Sequence, residues 1–173
     1  MSFFIGILAF TSIVINTLFW CFFLLTLALL KFLIPLEKWK IFCTKWIIYI
    51  GECWIFCNGI WIKVLHRPKW NISGFNFPGK DSWYLATSNH QSWADIFILQ
   101  RITNRKIPML KFLLKDILIW FPVIGLAWWA LDMPFLKRYS EKKLNKYPGL
   151  RGKDIASMQK SFQRFARYPV SIF

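Results

Sequence analysis

The residues best placed to do chemistry lie in one stretch, Asn89-His90-Gln91-Ser92-Trp93-Ala94-Asp95. It holds one of the chain's 2 histidines and a carboxylate. On a single helix the two would stand about 140° apart and could not meet. They can meet if His90 lies in the turn before a helix and Asp95 in its first turn. The sequence allows this: a short strand-like segment, Trp83 to Ser88, comes before, and the apolar run Ile96 to Leu99 follows. Ser92 is a good N-cap, which puts Asp95 at the third helical position. Asp95 could then accept the Nδ1 proton of His90, fix its tautomer and leave Nε2 to take a proton from a substrate hydroxyl. The same Ser-x-x-Asp spacing also reads as a capping box favoured by the helix dipole, with His90 an ordinary loop histidine. Residue types and spacing leave both readings open.

No G-x-S-x-G nucleophile motif is present. A histidine base would therefore activate the acceptor itself, and the electrophile would have to arrive activated, as a thioester does. The 4 cysteines, Cys21, Cys43, Cys53 and Cys57, form no C-x-x-C pair, so no metal site is expected. Asn71-Ile72-Ser73 matches a glycosylation sequon by chance, given its basic surroundings.

The elements that must hold this stretch differ sharply along the chain. The 173 residues are 56% hydrophobic and 20% aromatic, against about 45–50% apolar in soluble domains. Met1 to Leu30 contains no acidic or basic residue, so the net charge of +15 comes wholly from the remainder. Such a chain suits a membrane and anionic partners. Basic residues not interleaved with a nucleic-acid module argue against DNA or RNA. The first apolar stretch exceeds the about 20 residues that span a bilayer and is too long for a signal peptide. A transmembrane helix is expected over about 5–30, with Asn16 and Thr17 also allowing a hairpin within one leaflet. Lys31, Lys38, Lys40 and Lys45 follow it, which puts the C-terminal part on the cytoplasmic side of the inner or cytoplasmic membrane.

A second helix is expected over about 39–58, interfacial or packed on the first, with Lys38, Lys45 and Glu52 as one narrow stripe. Gly59 is expected to end it. Residues 1–58 thus form the membrane-anchoring helices, and 59–173 an α/β domain. Alternation from Ile60 to Leu65 suggests a strand. Trp70 to Ser73, Trp83 to Ser88, Ile107 to Leu110 and Met133 to Lys137 suggest further strands. Helices are expected over Trp93–Ile102 and Phe112–Trp120. Lys137 to Arg167 is strongly basic, and Ile155, Met158, Phe162 and Phe165 at helical spacing mark an amphipathic helix within it. The apolar run Val170 to Phe173 reads as a strand.

Asn-His-x-x-x-x-Asp after a short strand resembles the first motif of the glycerolipid acyltransferase family, which includes the lysophosphatidic acid acyltransferases. Lys115, Pro122 and Gly125 are similar to that family's segment between its first two motifs, and Pro134-Phe135-Leu136-Lys137-Arg138 resembles the second. The second motif usually opens on glycine, where this chain has Asp132. The resemblance covers roughly residues 60–173 and implies a helix-covered mixed sheet preceded by membrane-embedded helices. It implies that His90 deprotonates the free hydroxyl of a lysophospholipid such as 1-acyl-glycerol-3-phosphate while Asp95 orients His90. Acyl-CoA or acyl carrier protein would be the co-substrate, with no further cofactor. Asn89, Lys137 and Arg138 would bind substrate. The family's third motif, Glu-Gly-Thr-Arg, does not occur in these residues; 169–173 looks like the strand that leads into it. The domain is accordingly expected to be incomplete at its C-terminus. The alternative expectation is a non-catalytic acyltransferase-fold protein that keeps lipid binding only.

Overall fold

The computed structural model describes every residue except 1, 75, 78, 90, 138, 140, 151 and 166–168, and the side chains of 2, 142, 143, 150, 153, 154, 157, 160, 161 and 164. Two long helices lead the chain, α1 (Ser2–Leu33) and α2 (Glu37–His66). Ile34, Pro35 and Leu36 join them, and Pro35 cannot continue a helix hydrogen-bond ladder. Contacts step outward from this turn as antiparallel helices require. Trp39 Nε1 donates to Leu30 O, Trp54 Nε1 to Thr17 Oγ1, and Asn16 Nδ2 to Asn58 Oδ1 at 2.8 Å. Both helices are long and apolar enough to cross a membrane; at 1.5 Å per residue, the 32 residues of α1 extend about 48 Å.

The second helix does not stop at Gly59. It continues to His66 and ends at Arg67, whose left-handed φ of 44° precedes Pro68. The expected strand over 60–65 is therefore the last part of α2. Apolar residues occupy nearly every position there, so alternation and helical periodicity fit equally well. Gly59 serves close approach instead: a Cβ there would stand 2.2 Å from Arg101 Nη1. The expected charge stripe also divides, because Lys38 and Lys45 are exposed while Glu52 is buried.

After an irregular stretch come β1 (Tyr84–Leu85), α3 (Ala94–Thr103), β2 (Leu110–Lys111) and β3 (Leu114–Lys115). A 3-10 helix (Asp116–Trp120), α4 (Ile124–Ala130) and β4 (Phe135–Leu136) follow. The chain then forms α5 (Glu141–Lys146), a 3-10 turn (Pro148–Leu150), α6 (Lys153–Phe165) and β5 (Ser171–Ile172). No strand forms at 70–73. The helix expected over 112–120 is instead the β3 strand running into the 3-10 helix, in a run too uniformly apolar for periodicity to decide.

One parallel sheet has the order β1-β5-β2, and a second pairs β3 with β4, also parallel. The two nearly merge. Leu113 N donates to Phe173 O, so β5 still pairs beyond β2, and Leu114 N donates to Pro134 O, where the β4 pairing begins. The ribbon 110–115 thus carries β5 on one side and β4 on the other. Every pairing among the described residues is parallel, where a mixed sheet was expected.

One apolar core joins the helical pair to the sheet. It includes Cys21 and Leu24 of α1, Ile47, Ile50 and Ile55 of α2, Met109, Leu110 and Phe112 around β2, and Ala127 and Ala130 of α4. On α6, Phe165 is buried, Met158 and Phe162 are half-buried and Ile155 is exposed, so the expected apolar stripe is only partly covered.

Candidate active site

In a parallel sheet the loops after the strands' C-terminal ends share one edge, where α/β sites form. Strand β1 delivers the chain to that edge, and Asn89, Gln91, Ser92 and Trp93 are all exposed there. His90 lies outside the described residues. Asp95 is half-buried in the first turn of α3. Its Oδ2 accepts the backbone N–H of Gln91 at 2.6 Å and that of Ser92 at 2.8 Å. Ser92 in turn accepts twice, through Oγ from Ala94 N at 3.2 Å and through its carbonyl from Asp95 N at 3.1 Å. The Asp95 half of the capping box read from the sequence is therefore formed, while Ser92, two residues ahead of the first regular helical residue, takes Ala94 N rather than Asp95 N on its Oγ. These bonds fasten the Asp95 carboxylate to the two residues that follow position 90. A carboxylate so held is pre-oriented, because its rotamer is fixed by contacts that do not depend on substrate.

The second motif begins at a helix end. Leu131 follows α4, Asp132 has a φ of 54°, Asp132 N donates to Trp129 O, and Met133 N donates to Trp128 O. That is a Schellman motif with Asp132 at the left-handed position, which glycine fills most easily and which aspartate tolerates better than most residues. It accounts for the family's usual glycine here and for how this chain departs from it. Beyond it Pro134 and Leu136 are buried, β4 pairs Leu114 with Phe135, and Lys137 emerges exposed. Arg138 lies outside the described residues. Lys115 is exposed at the end of β3. A cleft of about 530 Å³ opens beside this motif, lined by Asp132 to Phe135, Trp129, Phe165 and the α1–α2 turn with Lys31 and Lys40.

Sequence reasoning assigned no part to Lys111, which is 2% exposed. Its Nζ donates to Leu131 O, the residue just before Asp132. Burial pushes its pKa down from 10.5 to about 8, against the pull of the Asp132 carboxylate and with a further push from Lys31. A lysine inside the apolar run Met109 to Leu114 was the available signal. Among the described residues no group of His, Cys, Asp and Glu could hold a metal ion.

A family model described as Acyltransferase matches residues 71–167, a span that takes in both motifs and more than half of the chain. The chain belongs to this family, of the glycerolipid acyltransferase type. Acyl transfer is thus the general chemistry of its domain. Searches of curated proteins and of solved structures found no match.

Proposed function

We propose that this protein is a membrane-bound enzyme that moves a fatty acyl group from an acyl thioester to the free hydroxyl of a lysophospholipid, in phospholipid synthesis or remodelling. His90 takes the hydroxyl proton on Nε2 as the oxygen attacks the thioester carbonyl. The C–S bond breaks, an ester forms, and the thiolate of CoA or carrier protein leaves with a proton from the imidazolium. No covalent enzyme intermediate is needed, in keeping with the lack of a nucleophile motif. Asp95 accepts the Nδ1 proton of His90 and holds the imidazole in one tautomer. Asn89, Lys137 and Arg138 bind substrate, the guanidinium being shaped for the acceptor's phosphate. α1 and α2 keep the domain at the membrane on its cytoplasmic face, where the acceptor resides.

The observation that carries this reading is the double backbone grip on Asp95 Oδ2 in the loop at the end of β1. The same grip caps α3, and what favours a base partner over a cap alone is the family match, which takes in residues 89–95. The test is transfer of a labelled acyl group from acyl-CoA to 1-acyl-glycerol-3-phosphate in membranes bearing the protein. His90→Ala should lower turnover on the order of 10²–10⁴-fold, the usual range for a general base. Equal turnover in the two proteins would sink the mechanism.

A further inference from the structure

From Ile117 to Leu131 the chain carries no charged and no polar side chain, and three of its residues, Trp120, Trp128 and Trp129, are tryptophan. The run is shorter than the about 20 residues that span a bilayer. It is also broken into the 3-10 helix and α4 at residues 121–123, where Pro122 stands and Val123 has a φ of 63°. A run of this length is ordinarily a core element or an interfacial one. It is not core. Trp120 is 82% exposed and Ile117 66%, with Phe121, Leu126 and Trp129 each more than half exposed. Scattered exposed apolar residues need no explanation, whereas a contiguous aromatic patch marks an interaction surface.

Its place in the fold says what covers it. The inner face of α4, Ala127 and Ala130, shares one core cluster with Cys21 and Leu24 of α1. The outward residues Leu126 and Trp129 therefore stand beside α1, whose own Phe22 and Leu29 are more than half exposed. Asp116 and Asp132 bracket the run directly, with exposed Lys115 and Lys137 just outside them. Exposed tryptophans beside an apolar helix are what a bilayer interface selects, the rings lying at headgroup level, where Lys115 and Lys137 can reach anionic phosphates.

We propose that Ile117–Leu131 is a second membrane-seating surface, which sinks the sheet's β3–β4 side into the same bilayer that holds α1 and α2. The inference rests on the membrane attachment put forward above. Its occupant is lipid, and the buried segment lies in the interface without crossing. The domain then meets the bilayer at two places, so its tilt is set by this surface as well as by the helical pair that shares its core.

Spin-label accessibility in vesicles of phosphatidylcholine and phosphatidylglycerol tests this on the full chain. Cys53 and Cys57 are replaced by serine, Cys21 and Cys43 being buried beyond the reagent's reach. Labels are placed by Ile117→Cys, Trp120→Cys and Leu126→Cys. Phe22→Cys on α1 is the lipid reference, and Gly149→Cys, where an added Cβ meets nothing within 4 Å, is the aqueous one. In lipid, the three test labels lose relaxation by a water-soluble nickel chelate and keep relaxation by oxygen, as Phe22→Cys does. Nickel relaxation equal to that at Gly149→Cys would overturn the proposal, and so would low accessibility to both reagents, the mark of a protein partner or second copy. If Phe22→Cys is itself open to nickel, the attachment reading fails and the proposal fails with it.

Discussion

Lys111 carries its amine into the core at the end of a two-residue strand, and the cost of that burial sets a pH dependence. A lysine whose folded pKa lies below its unfolded value binds fewer protons when folded, so stability rises with pH between the two values. The penalty stands in full below about pH 8 and is gone above 10.5. At about 1.4 kcal/mol per pH unit it amounts to roughly 3 kcal/mol. Lys111→Met, which fills the same space without charge, should unfold later than wild type at pH 7 in micelles, and the gap between the two melting curves should shrink from pH 8 toward 10.5. A gap that does not change with pH would count against a charged Lys111. At Asp95 two variants separate orientation from capping. Asp95→Asn can still accept a backbone N–H, so its melting temperature should stay near wild type while turnover falls on the order of 10²-fold. Asp95→Ala should lose about 1 kcal/mol of stability as well. Asp95 was legible because spacing to a cap residue is local information. Lys111 was not, since its burial depends on a partner twenty residues on, the Leu131 carbonyl at the end of α4.

The elements show the same division. Helix α3 was readable within a residue or so because Ser92 and Asp95 announce its start. The end of α2 was misread because glycine is a common helix stop, and only the Arg101 side chain crossing at Gly59 shows its actual use. Two glycines make the contrast testable. At Gly125 a Cβ would lie 2.1 Å from the Ile119 carbonyl oxygen, a backbone atom that cannot turn aside. Gly125→Ala should cost about 2 kcal/mol or more, measured as a fall in melting temperature. At Gly59 the obstacle is the flexible tip of Arg101, and alanine favours a helix interior by about 1 kcal/mol. Gly59→Ala should therefore move stability by less than about 1 kcal/mol.

At the scale of the whole molecule, the helical pair and the α/β domain are latched by Glu52. Its carboxylate pairs with Lys80 at 2.8 Å and with Arg105 at 3.8 Å, and its carbonyl accepts Asn104 Nδ2 at 3.0 Å. The Arg105 guanidinium also lies over the Tyr49 and Phe56 rings of α2. Glu52→Ala should cost about 2 kcal/mol, a charge-assisted contact being worth about 1.5–3, and limited proteolysis should speed up within residues 67–83. The two long apolar helices were plain from composition. The shared core and the sheet order were not, because strands of two residues leave almost no periodicity to read. That sheet order also has a consequence in time. Strand β5 follows β1 and β2 in the chain, yet it fills the gap between them, taking the N–H groups of Tyr84 and Ala86. During synthesis the hairpin of α1 and α2 can form while β1 and β2 still wait, their edges unpaired. Closing the sheet over so long a sequence separation makes its completion the slow event, and it takes place on a chain whose two long helices have already formed and paired.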